Sequence, residues 1–427
     1  MAIVCWGNLA KTADDVIRIE QSIEDYVSGH NQNPNAHAAD GYSLFEHRTQ
    51  DVIDHTFYSV RNIFMYPQIR TYKAIVDPAG YGDLTDIQAA IDYVQGLGGG
   101  SVLAKAGTYP QTDNIVIPSN VYLEGEGADI TVIDFNSTAK IVQMIGTTDM
   151  EEEILWSLPH DSKIITGTGT AFESHASAGD YFILDGTPYK IASVDSNTQI
   201  TLQETFQGVA FAAITDYEIW TAVSNAGIKN LTIKDSGGVT ADTGSGLKAT
   251  KTVDCKIENV ISRGNAFYGF NITNTYNMKL VDLLAKGNTS DGFRITNNRA
   301  LGIQDCQALS NENYGFYIST AQTGSVGFTR CEAYHNDLDG FYLTSSTYLS
   351  MLQCYADYNS RDGIRAASGD WNSIVSCRAN KNAGYGINIS AAGCNEFNIV
   401  ANTARLNTTG NFQDLAPDTH VGHNSFV

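Results

Sequence analysis

The chain has 427 residues, with 26 Lys+Arg against 47 Asp+Glu, so its formal net charge is −21 although charged residues make up only 17%. An acidic balance repels nucleic-acid phosphates and anionic headgroups, which argues against nucleic acid or membrane insertion as partners of the whole molecule. No apolar run approaches the roughly 18 residues of a bilayer span, and Met1-Ala-Ile-Val-Cys-Trp-Gly lacks the basic start and apolar stretch of a secretory signal, so a soluble chain made in a cytoplasm is expected. A total of 39 Gly against 8 Pro, with Asn, Ser and Thr crowding the second half, is the texture of many short strands and turns.

In chain order, residues 1–72 come first. Thr12 to His30 reads as a helix, with Val16, Ile19, Ile23 and Tyr26 on one stripe and Gly29 as its stop. The stripe is too short for an isolated coiled coil, so it calls for copies of itself or a neighbouring protein. The stretch from Asn33-Pro-Asn-Ala-His to Asp54-His55 resembles the N-terminal segments of phage tail and fibre proteins. That resemblance implies a virion-attachment segment that contacts a phage tail or baseplate protein. His37, His47 and His55 read as surface or interface histidines; a metal site is the other reading, but no carboxylate or thiol completes a set at ligand spacing.

Residues 73–149 carry a different signature. Gly82-Asp83-Leu84-Thr85-Asp86-Ile87-Gln88 opens an amphipathic helix, with Thr85 and Gln88 placed as a capping box and Gly98 as its stop. Then follow Gly99-Gly100-Ser101-Val102, Ala106-Gly107-Thr108-Tyr109 and Asn120-Val121-Tyr122-Leu123-Glu124-Gly125. This series resembles the opening module of the pectate-lyase-like superfamily, in which a short helix caps a right-handed parallel β-helix and these motifs form its first coils. Ala106 stands where proline is usual. The superfamily includes lyases, hydrolases, epimerases and phage tailspikes, so the likeness implies fold more than reaction.

Residues 150–220 interrupt the coils. Alternating strands separated by Asp185-Gly186 and Ser196-Asn197 read as hairpins of a small β insert. Its expected role is structural, with sugar binding as the alternative.

From 221 to 427 a repeat dominates. A glycine followed by an apolar residue recurs at Gly246, Gly269, Gly292, Gly315, Gly340, Gly363 and Gly386, in steps of 23, 23, 23, 25, 23 and 23. Asn265, Asn288, Asn311, Asn336, Asn359 and Asn382 each stand four residues before a glycine, and Cys306, Cys331, Cys354 and Cys377 share a further column. A unit of this length is too short for a helix-containing repeat of the common kinds, so three short strands with turns form each coil of a parallel β-solenoid, with coils about 4.8 Å apart. Asparagine tolerates left-handed backbone and its amide can bond along the ladder, while glycine gives room at the second bend. The cysteines read as reduced, small apolar core residues.

Outward columns form a line of side chains suited to an extended polymer. The position before each glycine reads Tyr268, Asp291, Tyr314, Asp339, Asp362 and Tyr385; two after it stand Asn271, Arg294, Tyr317, Tyr342, Arg365 and Asn388. Aromatic faces and guanidinium or amide groups are a vocabulary for sugars, so Asp291, Arg294, Tyr314, Tyr317, His335, Tyr342 and Arg361 are candidate substrate contacts. Asp339 and Asp362 occupy one column in adjacent coils, where two like charges would drive one carboxyl pKa up. Carboxyl groups about 5–5.5 Å apart suit retaining glycoside cleavage, and about 6.5–9.5 Å inverting. Asp337 and Arg365 complete the candidate catalytic set, and for a lyase Arg365 would neutralise a uronate while Tyr342 or His335 moves the proton. Asp339 and Asp362 also read as solvated turn residues or as a Ca²⁺ site; no other cofactor is implied.

Resemblance to phage tailspikes of this superfamily implies a homotrimer on a virion that acts on bacterial surface or capsular polysaccharide. Two functions follow: a depolymerase, hydrolase or lyase, or a non-catalytic spike that only holds a glycan. Mannuronan epimerases fit less well, since Tyr314-Gly315-Phe316 is followed by Tyr317-Ile318 and not by their Asp-Pro-His.

Overall fold

The structure, a computed structural model, describes residues 72–135, 140–151, 155–214, 217–235, 244–319 and 325–427. The helix expected over Thr12–His30, the histidines His37, His47 and His55, and the attachment segment they belong to lie outside the described residues.

Each repeat winds into one coil of a parallel β-helix. In the coil that starts at Gly292, Phe293–Thr296 joins a short sheet, and Leu301–Gln304 and Gln307–Leu309 join a long one. The short sheet stacks ten strands, from Ile115–Val116 to Gly410–Asp414, and the long sheet stacks 21, ending at Ser425–Phe426. Period-2 alternation explains which side chains face inward. In Phe293-Arg294-Ile295-Thr296 the first and third residues are buried and the others half-exposed. Parallel register then stacks like on like. Phe270, Phe293, Phe316 and Phe341 form an interior ladder with ring centroids 4.9, 4.5 and 4.6 Å apart.

The asparagine column is also an interior ladder, although its members are not the left-handed residues. That conformation falls one residue earlier, at Gly264, Gly287, Ser310, His335, Tyr358 and Lys381. The turn is therefore made by its predecessor, which frees each asparagine to point inward. Asn336 receives on its Oδ1 both the backbone N–H and the side-chain amide of Asn311, at 3.1 and 2.9 Å. Its own amide donates to the Ala308 carbonyl at 3.1 Å and to Asn359 Oδ1 at 3.0 Å. Gly315 is needed for close approach: a Cβ there would lie 2.6 Å from the Gly340 carbonyl and 2.8 Å from the Asn336 amide.

Six cysteines among the described residues are free and buried. Burial pushes the Cys255 thiol up to about 11, and the Cys331 thiol is also raised, chiefly by burial, so both stay protonated near neutral pH.

Helix α1 (Ile87–Gly96) caps the first coil with Ile87, Ala90, Ile91 and Val94 buried. Its N-cap is Asp86, whose carboxylate accepts the Ala89 N–H at 2.7 Å, and not Thr85. Gln88 has another task than the expected capping box. Its amide accepts the Val116 N–H at 2.7 Å and donates to the Val116 carbonyl at 3.3 Å, pairing the open edge of the short sheet. Ala106 is also used as it stands, since its N–H, which proline lacks, donates to Glu126 at 2.8 Å.

The insert is an eight-stranded antiparallel sheet running in sequence from Thr147–Glu151 to Tyr217–Thr221. It has its own core of Trp156, Phe172, Phe182, Phe206, Tyr217 and aliphatic residues. Tyr181, Ile183 and Trp220 pack it onto Val253 of the coils. Asp185-Gly186 makes a tight hairpin with φ of 47° and 70°. The second hairpin closes between Ser196 and Gln199, so its central pair is Asn197-Thr198, one residue beyond Ser196-Asn197.

Candidate functional site

The outward column of the short sheet runs in register through Asn271, Arg294, Tyr317, Tyr342, Arg365 and Asn388. Its central members are half-exposed. Because parallel stacking places them one above another, rings and guanidinium groups come into contact along the column. The Arg294 guanidinium lies 3.5 Å from the Tyr317 ring centroid and 5.6 Å from that of Tyr268. Tyr314 stacks on Tyr342 at 4.7 Å, Tyr317 stands 5.6 Å from Tyr342, and Arg361 and Arg365 lie 5.9 and 5.8 Å from the Tyr314 and Tyr342 rings. The strip from Tyr268 to Arg365 crosses five coils, about 19 Å at about 4.8 Å per coil. Tyr268 extends the strip and was legible as a member of its column.

The aspartates before the glycines are not outward. Asp291, Asp339 and Asp362 are buried, with 1%, 0% and 6% of their surface exposed. The turn that brings the column glycine against the next coil folds these carboxylates under the strip, where they accept N–H groups. Asp339 accepts the Asp362 N–H at 2.9 Å and an Arg361 N–H at 2.8 Å. Asp362 accepts the Tyr385 N–H at 2.6 Å and the Asn388 amide at 2.7 Å. Asp291 accepts an Arg294 N–H at 3.2 Å. The readings of Asp339 and Asp362 as solvated turn residues or as a Ca²⁺ site are therefore corrected. Every oxygen of the pair already receives a proton donor, and the neighbouring charge is a guanidinium, so the donor chemistry does not fit a cation. Among the described residues no group of three or more His, Cys, Asp or Glu is placed to hold a metal ion.

Burial pushes the carboxyls of Asp291 and Asp339 up to about 6, against the pull of Arg294 and Arg361. For Asp339 the Asp362 charge adds to this but ranks below burial, so desolvation and not like-charge repulsion is the main cause. A carboxyl raised in the folded state stabilises it fully below the unfolded pKa, and that contribution is lost as pH rises through about 6. The thermal midpoint should therefore fall between about pH 4 and about pH 6, with each group costing on the order of 3 kcal/mol across that interval. Calorimetry of the Asp291→Asn/Asp339→Asn double variant should give a flatter profile across that interval; a slope equal to that of the parent would contradict the assignment.

Two candidates stand apart from the strip. His335 sits at the corner after the strand Glu332–Tyr334, with its ring 4.4 Å from Tyr334 and 5.3 Å from Tyr358. Asp337 is exposed in the turn between Asn336 and Asp339, where its N–H donates to the Asn311 carbonyl at 3.0 Å. The structure thus brings together Asp291, Arg294, Tyr314, Tyr317, Asp339, Tyr342, Arg361, Asp362 and Arg365, and leaves His335 and Asp337 outside.

A family model described as the right-handed beta helix region matches residues 191–325, 219–368 and 322–426, together more than half of the chain. The chain belongs to this family, and its coils are those of a right-handed parallel β-helix. No curated protein matches the sequence. Among solved structures, the A-module of mannuronan C-5 epimerase AlgE4 from Azotobacter vinelandii is similar at 18% identity and a TM-score of 0.52, over 82% of this chain and 95% of that one. ORF18 of Geobacillus virus E2 is similar at 16% identity and a TM-score of 0.53, over 86% of this chain and 63% of that one. The tailspike protein gp49 of Pseudomonas phage LKA1 follows at 13% identity and a TM-score of 0.45, over 80% and 74%. At such identities the likeness is one of fold.

Proposed function

We propose that the chain is a tailspike-like, virion-borne protein that holds an acidic bacterial surface or capsular polysaccharide along the short-sheet strip. The observation that carries this reading is the in-register run Arg294, Tyr317, Tyr342, Arg365, which sets two flat apolar rings between two cationic donors over about 14 Å. On a chain of net charge −21, that localised positive charge selects for carboxylate-bearing sugars. The fold neighbours agree in kind, one being a viral protein and another an enzyme named for mannuronan.

Binding is favoured over cleavage because the carboxyl groups of Asp339 and Asp362 are covered by their donors. Cleavage is the second reading, and the Asp339–Arg361 pair favours it: a substrate anion that draws Arg361 away would uncover an acid still protonated near pH 6. Incubation with a panel of bacterial surface polysaccharides separates the two. New reducing ends alone mean hydrolysis, an ultraviolet-absorbing unsaturated product means elimination, and retention without either product is the expected result. No retention of any acidic polysaccharide would sink the proposal. As a tailspike-like protein the chain is also proposed to trimerise; light scattering should give three times its 46.2 kDa, and the mass of one chain would contradict this.

A further inference from the structure

Where the insert meets the coils, its hairpin and the corner preceding the long sheet enclose a cleft of about 550 Å³. Tyr189 and Glu204 come from the insert, on strands Thr187–Ser196 and Gln199–Phe206, and face Asn120, Asn225, Asp254 and Tyr276 of the coils. Asn120, Asn225 and Asp254 are stacked corner residues with φ of 63°, 52° and 56°. The stack is tied together: the Asn225 amide donates to Asn120 Oδ1 at 3.1 Å, the Tyr122 hydroxyl donates to Asn225 Oδ1 at 2.7 Å, and the Asn277 amide donates to Asp254 at 2.6 Å. The opposite wall is also held in place. Tyr181, Ile183 and Trp220 pack on Val253, and Arg299 of the coils reaches the hairpin, donating to the Thr187 hydroxyl at 3.2 Å.

We propose that this cleft is a second carbohydrate site, taking one neutral or amino sugar unit and shared between the insert and the coils. Its chemistry differs from that of the strip. Two phenol rings offer flat faces to a pyranose, and the Asn120 and Asn225 amides suit hydroxyl groups at defined directions. The charge on its walls comes from Asp254 and Glu204 against Lys190 alone, a balance that repels a uronate and favours an uncharged or ammonium-bearing ring. The Tyr189 hydroxyl keeps its proton, since burial, Tyr276 and Glu204 all raise its pKa, so it remains a hydrogen-bond donor. The size accommodates one sugar ring and lies within the usual range of small-ligand clefts. No residue of the cleft belongs to the Tyr–Arg strip, so the two sites can fail independently.

The test is saturation-transfer NMR of the full chain with glucose, N-acetylglucosamine, glucosamine and glucuronic acid as separate probes. The expected result is transfer to at least one of the first three, loss of that signal in Tyr276→Ser and Tyr189→Ser, and persistence in Arg365→Ala. Should either tyrosine variant fail to fold, the surface variants Asp254→Asn and Glu204→Gln take its place, and at least a several-fold weaker glucosamine signal is expected from them. Transfer to none of the neutral or amino probes would overturn the proposal. So would preferential transfer to glucuronic acid, or a signal that survives every cleft variant yet disappears in Arg365→Ala.

Discussion

Asn336→Ala should destabilise the protein by about 3–5 kcal/mol, more than most surface substitutions in the molecule. Asn336 is fully buried, and its side chain takes part in four hydrogen bonds with Ala308, Asn311 and Asn359. Alanine would leave the Asn311 N–H and one hydrogen of the Asn311 amide, whose other bond runs to the Ala285 carbonyl, without an acceptor and would take a donor from the Ala308 carbonyl, in a place water does not reach. An unsatisfied buried group costs about 1–3 kcal/mol, which sets the size of the effect. Because each coil touches only its neighbours, the damage should spread outward from this coil as cooperative loss of those beside it. Asn407→Ala, at the half-buried end of the ladder, should cost less. Denaturant unfolding followed by circular dichroism checks both, and a loss below about 1 kcal/mol at Asn336 would mean that the ladder is not what holds the coils in register.

Arg294→Ala combined with Arg365→Ala should lower affinity for an acidic polysaccharide by at least about a hundredfold. Hydrogen bonds to charged groups contribute about 1.5–3 kcal/mol each, and two such contacts are removed. The fold should survive, since both side chains are half-exposed on the outer face of the short sheet. Raising salt should weaken the parent protein toward the variant, because partly exposed charges are screened. Tyr342→Ala should reduce affinity for neutral and acidic glycans alike, as a ring face reads shape and not charge. Equal affinities of parent and double variant in titration calorimetry would remove the strip from consideration.

Much of this architecture is legible in the sequence because a solenoid turns periodicity directly into contact. The glycine, asparagine, cysteine and aromatic columns each need only a fixed spacing, and register does the rest. What period alone cannot give is the direction of a side chain at a bend. Asp291, Asp339 and Asp362 share a column with Tyr268, Tyr314 and Tyr385, yet a short carboxylate folds inward to meet backbone N–H groups while a phenol ring stays half-exposed. The same limit applies at Asn265 and its successors, where the left-handed turn falls on the preceding residue. Long-range placement is the other gap. Gln88 pairs with Val116, and Arg299 with Thr187, across 28 and 112 residues, with no local pattern to announce either. The cleft between insert and coils is invisible for that reason too.

A structure of the protein with an acidic oligosaccharide bound decides whether the strip is the binding site. The sugar rings should lie along Tyr317 and Tyr342, with a carboxylate within hydrogen-bond distance of Arg294 or Arg365. An oligosaccharide seated on the outer face of the long sheet, with the strip left bare, would contradict it.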